Sequence, residues 1–335
     1  MTEYILAGDI GGTKTRLSLY KENTGPYLPV DEETFSSKAF HSLVEIVEKY
    51  LENKKVNIRM ASFGIAGPIK SGRVETTNLP WIITEDSLRP VVNDAPVSLL
   101  NDLVASATAL PHLNQDDIQT ISHGVPEPQG AIGLVSPGTG LGEAFLTWED
   151  RGYRAHPSEG GHCSFAPINQ NQAQLLNYLM SRYDHISYER VCSGNGISNL
   201  YHYIKETNQA PEPEWLRKKL DTAPDPNPII FRAARFENEP IAQKTLALFI
   251  EILANEASNL ALKVMATGGV YLGGGIPPRL TGLLEKTKFM AAFTNKGRFA
   301  DWLGTVPIHI IKKPNAALFG AACFAFETIG RVSFR

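Results

Sequence analysis

The chain has 335 residues, 43% hydrophobic and 20% charged, with a formal net charge of −3. That length exceeds what one hydrophobic core ordinarily fills, so two lobes are expected, and the near-neutral charge gives no electrostatic basis for nucleic-acid or membrane binding. Polar residues interrupt the apolar stretches, no signal-peptide pattern opens the chain, and three widely spaced cysteines (Cys163, Cys192, Cys323) argue against a disulfide framework, so a cytoplasmic protein is expected.

Strand and helix signals alternate, which points to an α/β architecture. Residues 4–7 read as a buried strand, and Thr15–Tyr20 alternates Leu17 and Leu19 against Arg16 and Ser18. Between them lies a glycine turn, Gly8-Asp9-Ile10-Gly11-Gly12-Thr13. Leu43, Ile46, Val47, Tyr50 and Leu51 recur at helical spacing and predict an amphipathic helix over about 40–52. Further strands are expected at 59–65, 97–101, 131–135 and 269–272. Strand 131–135 runs into Ser136-Pro137-Gly138-Thr139-Gly140-Leu141-Gly142 and a second strand over Glu143–Trp148, repeating the strand, turn and strand of residues 4–20. The spacing suits duplication of one supersecondary unit better than a solenoid. Residues 207–228 hold five prolines among charges and read as an exposed excursion with a short helix near 214–220. Leu246, Phe249, Ile250, Leu253, Ala257, Leu260 and Val264 predict a long helix over about 240–265.

Phosphate groups need backbone N–H groups at close range, and glycine allows that approach. Two such turns suggest a polyphosphate held from two sides. Neither has the P-loop pattern, and Gly138–Gly142 enters a strand instead of the helix a dinucleotide fold requires. A plain hairpin turn is the alternative for each. Asp9 favours the functional reading of the first, because a carboxylate there suits Mg²⁺ beside phosphate oxygens. Thr13 and Thr139 add hydroxyl donors. A third cluster, Gly273-Gly274-Gly275-Ile276, follows strand 269–272 and would let a flat base lie against the backbone; a strand-to-helix turn is the alternative.

Asn101-Asp102 ends a predicted strand, where open α/β sheets collect ligands, although Asp102 would equally serve as a helix N-cap. Glu159-Gly160-Gly161-His162 offers an acceptor and a ring donor or acceptor across a flexible glycine pair, the kind of group a polyol needs. Glu189, in Tyr188-Glu189-Arg190-Val191, reads by itself more readily as a surface helix residue. Cys163 follows His162, but no Cys-x-x-Cys pair supports zinc.

In this order the motifs resemble the bacterial-type glucokinases of the actin, hexokinase and sugar-kinase superfamily, nearly end to end. Gly8–Thr13 is similar to the first phosphate motif of that family, Gly138–Gly142 to the second and Gly273–Ile276 to the adenosine motif. Thr77-Asn78-Leu79-Pro80-Trp81, Asn101-Asp102, Glu159–His162 and Tyr188–Val191 resemble its sugar-site segments. Cys163-Ser164-Phe165-Ala166-Pro167 departs from the cysteine-rich zinc motif of the related open-reading-frame, kinase and repressor group, which sides with the zinc-free glucokinases.

The resemblance implies a two-lobed actin/hexokinase-like (ribonuclease H-like) fold with a cleft between lobes formed by 1–112 plus 314–335 and by 113–313. It implies transfer of phosphate from ATP to D-glucose, the opening step of glycolysis, with Mg²⁺ and in a homodimer. Asp102 would be the general base, and Asn78, Asn101, Asp102, Glu159, His162 and Glu189 would bind sugar. Gly8, Asp9, Ile10, Gly11, Gly12, Thr13, Gly138, Thr139, Gly140, Gly274 and Gly275 would bind nucleotide, with Asp9 near the metal. A sugar-sensing regulator without turnover and a superfamily ATPase are the alternatives; the retained Asp102 speaks against the first and the polyol cluster against the second.

Overall fold

The N-terminal strand β1 (Glu3–Ile10) buries four consecutive residues, Ile5 to Gly8, as a strand covered on both faces must. It pairs antiparallel with β2 (Lys14–Lys21), which pairs antiparallel with β3 (Asp31–Ser36). On its other side β1 pairs parallel with β4 (Asn57–Ile65). This computed structural model describes residues 2–76, 78–281 and 289–333. A small hairpin, β5 (Arg73–Glu75) with β6 (Ile82–Thr84), follows, and β7 (Val97–Asn101) completes the five-stranded sheet in the order β3-β2-β1-β4-β7. Thr77, expected in a sugar-site segment, lies outside the described residues.

Ile10, Ile65 and Asn101 are register partners in turn across β1, β4 and β7, so these strands end along one edge of the sheet. The helix expected at 40–52 runs Leu43–Leu51, because the Ser42 side chain accepts the Glu45 N–H at 3.2 Å and fixes its start. Leu43, Ile46, Val47 and Tyr50 are its buried face. The chain divides into two compact units, and the first comprises Met1–Asp117, Trp148–Pro157 and Lys313–Arg335. The segment Trp148–Pro157 carries most of a strand numbered β11 (Gly152–Ser158). The helix Ala316–Ser333 packs on the first sheet: Leu318, Ala321, Ala322 and Ala325 share a buried cluster with Ile5, Ala7, Tyr20 and Met60. At Gly320 a Cβ would overlap the Ala105 carbonyl, so this glycine sets how closely the helix can lie on Asp102–Thr108.

The second unit comprises Ile118–Thr147 and Ser158–Lys312. Its strands are β8 (Ile118–Ser122), β9 (Ile132–Pro137), β10 (Leu141–Glu149), β12 (Gly269–Leu272) and β13 (Ile308–Ile311), in the order β10-β9-β12-β13-β8. β10 is antiparallel to β9, while β9, β12 and β13 are parallel. The series β10-β9-β12-β13 thus repeats the order and directions of β2-β1-β4-β7, the arrangement expected from duplication of one unit.

The helix Pro240–Val264 is long and apolar enough to cross a membrane by composition, which corrects the expectation that no such run exists. Most of it is buried inside the second unit: Ile241, Leu246, Phe249, Leu253 and Leu260 all belong to that unit's core. Pro240 opens it at a position where the missing N–H costs nothing, and Met265 in left-handed conformation (φ 51°) ends it. The expected short helix near 214–220 spans Glu214–Thr222. After the third glycine cluster, Pro277–Leu280 form a 3-10 turn, and the helix expected beyond it falls partly on residues 282–288, outside those described.

Candidate active site

The first glycine turn joins β1 to β2. Gly11 N–H donates to Lys14 O at 3.0 Å, and the Ser37 hydroxyl donates to Gly11 O at 2.8 Å. The Gly11 N–H is therefore occupied within the hairpin; Gly12 is half-buried and Thr13 exposed. Gly8 lies lower in the strand, where a Cβ would come within 2.5 Å of Phe63 Cδ1, and Ile10 is 2% exposed in the core. Both shape the turn through packing. A Cβ on Gly12 would sit 2.6 Å from Asn78 Cβ, so the exposed Asn78 leans over the turn.

Asp9 is registered against Arg16 across β1 and β2, with Arg16 Nη1 to Asp9 Oδ2 at 3.8 Å. Burial pushes the Asp9 carboxyl up from its ordinary range, and the guanidinium draws it partly back. Arg16 was not among the residues singled out from sequence, where it read only as the polar half of an alternation.

At the end of β7 the two readings of Asn101-Asp102 separate. Asn101 is the N-cap: its Oδ1 accepts the N–H groups of Leu103 (3.0 Å) and Val104 (3.3 Å), and its Nδ2 donates to Gly67 O at 3.1 Å. Asp102 is the first residue of the helix Asp102–Thr108, its Oδ1 accepting the Leu103 N–H at 3.0 Å. The alternative that Asp102 is the N-cap is corrected by one residue, because Asn101 has the extended backbone a cap requires.

In the second unit Gly138 N–H donates to Gly140 O at 2.8 Å, closing the second turn, and Gly138 O accepts the Gly194 N–H at 2.8 Å. This joins the turn to the first residue of helix Gly194–Glu206, capped by Ser193, whose Oγ accepts the Gly196 N–H. The third glycine cluster is fastened to the same turn: Gly273 N–H donates to Val135 O and Ile276 N–H to Pro137 O. Gly274 has φ 77° and no room for a Cβ beside Pro137 O, so the clasp requires glycine there. Gly275 faces open space. A cavity of roughly 420 Å³ opens here, a size ordinary for a small-molecule pocket, with Thr139, Asn195, Ser198, Asn227, Gly275 and Arg279 among its walls. Asn195, Ser198, Asn227 and Arg279 come from three separate segments and carry no local motif that would have revealed them. Pro224–Asn227, in the expected excursion over 207–228, also line the cavity, and Pro224 and Asp225 are exposed.

Glu159–His162 form a turn, with His162 N–H to Glu159 O at 3.0 Å and Cys163 N–H to Gly160 O at 2.9 Å. Glu159 and His162 are exposed, whereas Gly160 and Gly161 are buried. The expectation of a flexible glycine pair is corrected: a Cβ on Gly160 would overlap the Glu143 carboxylate, and one on Gly161 the Leu141 carbonyl. Close packing, not freedom, demands glycine here. Phe165 N–H to Ile186 O and Tyr188 N–H to Cys163 O hold this segment against the Tyr188–Arg190 turn. Glu189 then reaches the second glycine turn, its Oε2 accepting the Leu141 N–H at 2.9 Å. Glu159, His162, Glu189 and the turn 138–142 are therefore brought together in one unit.

Two sheets of matching strand order, each with a glycine turn in its leading hairpin, define the actin/hexokinase-like fold. The family model for glucokinase matches residues 6–328. A glucokinase of Nostoc punctiforme is 37% identical over 335 residues, covering 96% of this chain and 98% of its own. The crystal structure of a glucokinase from an Antarctic psychrotroph superposes with a TM-score of 0.85 at 31% identity, over 97% of this chain and 99% of its own. At the level of fold alone, a ROK family glucokinase from Streptomyces griseus in complex with glucose and AMPPNP gives a TM-score of 0.63 at 19% identity, over 96% and 98% of the two chains. The chain belongs to the glucokinase family and is an ATP-dependent hexose kinase.

Proposed function

We propose that the enzyme phosphorylates D-glucose to glucose 6-phosphate, with Asp102 as the general base and sugar hydroxyls bound by Asn78, Asn101, Glu159, His162 and Glu189. The observation that carries the catalytic half of this reading is the register of Ile10, Ile65 and Asn101. It sets the first glycine turn and Asp102 at one edge of one sheet, which supports the reading that a phosphate-binding turn and a proton acceptor share a rigid frame. Asp102 takes the proton of the attacking hydroxyl, and the backbone N–H groups of Gly12, Thr13, Thr139 and Gly140 hold nucleotide phosphates. The second unit's cavity, floored by Gly275, is the proposed adenosine pocket, and the glucose and AMPPNP of the Streptomyces griseus structure agree with both ligands.

Asp9 fits a hydrated Mg²⁺: its carboxylate is half-buried, and the guanidinium beside it stands beyond hydrogen-bond length. Bound there, Mg²⁺ would supply charge neutralisation for the β- and γ-phosphates. A homodimer in the cytoplasm is the proposed working form, in line with the family resemblance; light scattering tests the assembly.

The test is glucose-dependent release of ADP in a coupled assay, run with a hexose panel and with Glu159→Ala. Charge-assisted hydrogen bonds contribute about 1.5–3 kcal/mol each, so Glu159→Ala should raise the glucose KM roughly tenfold to a hundredfold and move the ATP KM less. ADP release that ignores glucose would return the enzyme to the ATPase class, and no turnover at all with intact glucose binding to the sensors.

A further inference from the structure

Two fully enclosed glutamates lie behind the candidate sugar loop. Glu143, directly after the second glycine turn on β10, is 1% exposed, and Glu256, inside the helix Pro240–Val264, is 0% exposed. Each carboxyl changes how tightly the other holds its proton. Glu143 Oε1 and Glu256 Oε1 are both buried without a hydrogen-bond partner. Two carboxylates would leave both oxygens without a donor, whereas a proton on either carboxyl supplies one.

The pair touches both arms of the sugar cluster. The Glu143 carboxylate fills the space that a Cβ on Gly160 would need, and Gly160 lies between Glu159 and His162. Glu256 Oε2 accepts from Asn259 Nδ2 at 2.9 Å, and the same amide donates to the Tyr188 hydroxyl at 2.9 Å, one residue before Glu189. Asn255 donates to that hydroxyl too, at 3.0 Å. Lys296 Nζ binds the Oδ1 atoms of Asn255 and Asn259, and Lys263 Nζ stands 3.7 Å from Glu256 Oε1. The Cys192 thiol, also buried, feels both carboxyls, and burial holds it and the Tyr188 phenol neutral.

We propose that Glu143 and Glu256 share one proton and that the protonated pair positions the Glu159–His162 and Tyr188–Glu189 segments for sugar binding. This rests on the assignment of those segments to the sugar site. Burial first, and the neighbouring Glu256 second, raise the Glu143 carboxyl to about 8, with Lys263 opposing; burial also raises Glu256. Both acids hold a proton more tightly in the folded chain than in the unfolded one. The stability they contribute is therefore complete below the ordinary glutamate range and is lost as pH rises through about 8. Loss of the shared proton sets two like charges in a dry site, and Gly160, packed on Glu143, has no slack to absorb their separation.

The experiment is the pH dependence of the glucose KM and the ATP KM in wild type, Glu143→Gln, Glu256→Gln and Glu159→Ala. If only the protonated pair binds sugar well, the wild-type glucose KM rises roughly tenfold between about pH 7 and pH 9, with the ATP KM moving far less. Glu143→Gln and Glu256→Gln, which replace the proton with amide donors, flatten that rise. A folded Glu143→Gln enzyme that keeps the wild-type rise, while Glu159→Ala still weakens glucose, overturns the pair and leaves the sugar site standing. An unaltered glucose KM in Glu159→Ala overturns the sugar site itself. Should both glutamine variants fail to fold, infrared spectroscopy of the wild type decides: a buried protonated-carboxyl band at neutral pH that bleaches near pH 9 is expected, and its absence at neutral pH overturns the proposal.

Discussion

Glu189 Oε2 accepts the Leu141 N–H at 2.9 Å, which ties a side chain assigned to sugar binding to the backbone of a turn assigned to phosphate binding. A Cβ at Gly140 would fall 2.5 Å from the same oxygen, so the turn and the carboxylate are fitted to each other. Glu189→Ala should accordingly raise both the glucose KM and the ATP KM, unlike Glu159→Ala. Glu189→Gln keeps an acceptor for Leu141 and should restore the ATP KM while leaving the glucose KM raised. Steady-state kinetics with each substrate varied in turn checks this; an ATP KM untouched in Glu189→Ala would count against the coupling.

Asp102→Asn is the decisive substitution for the general base. It retains shape and the acceptor for the Leu103 N–H, yet cannot take a proton. The expected loss is roughly 10²–10⁴ in kcat, with nucleotide binding preserved. Near-normal turnover in a folded Asp102→Asn enzyme would remove Asp102 from the chemistry.

Asn101 carries a separate, structural expectation. As the cap of the helix Asp102–Thr108, its replacement by Ala should cost about 0.5–2 kcal/mol of stability, and Asn101→Asp, which keeps the accepting oxygen, should recover most of it. Denaturant melts read this directly. An Asn101→Ala protein of wild-type stability with a raised glucose KM would show that ligand contact outweighs capping.

Cys163 is exposed next to His162, whereas Cys192 and Cys323 are buried and burial pushes both thiols up. A thiol reagent should therefore modify one cysteine of the native enzyme quickly, raise the glucose KM, and be slowed by saturating glucose. Peptide mapping identifies the site; modification at an undiminished rate under glucose would place Cys163 away from the sugar.

Much of the fold was legible because its signals are local. The helix at 43–51 follows from apolar spacing, and the two glycine turns each follow a buried strand whose run of apolar residues stops at them. Asn101 and Asp102 are both good caps, and only the backbone angles decide which one caps. Glu143 was hidden because a glutamate within a strand reads as solvent-facing, yet β10 buries that position beneath Gly160. Glu256 did leave a trace: it stands three residues after Leu253 and four after Ile252, where the preceding turns of that face are apolar. The cavity walls at Asn195, Asn227 and Arg279 left none, since three distant segments meet only in the folded unit.

The cluster shared by Ile5, Ala7 and Leu318 has a consequence for biosynthesis. On a ribosome adding about 5–20 residues per second, Leu318 is made roughly 15–60 s after Ile5. Throughout that interval the face of β1 that the helix Ala316–Ser333 will cover stays apolar and uncovered, and before it ends every residue of the unit ending at Lys312 has been made. The second unit can therefore complete its core first, and the strand synthesised earliest is among the last to be sealed. Slowed translation near the 3′ end of the message should lengthen the exposure of that face and with it the demand for chaperones.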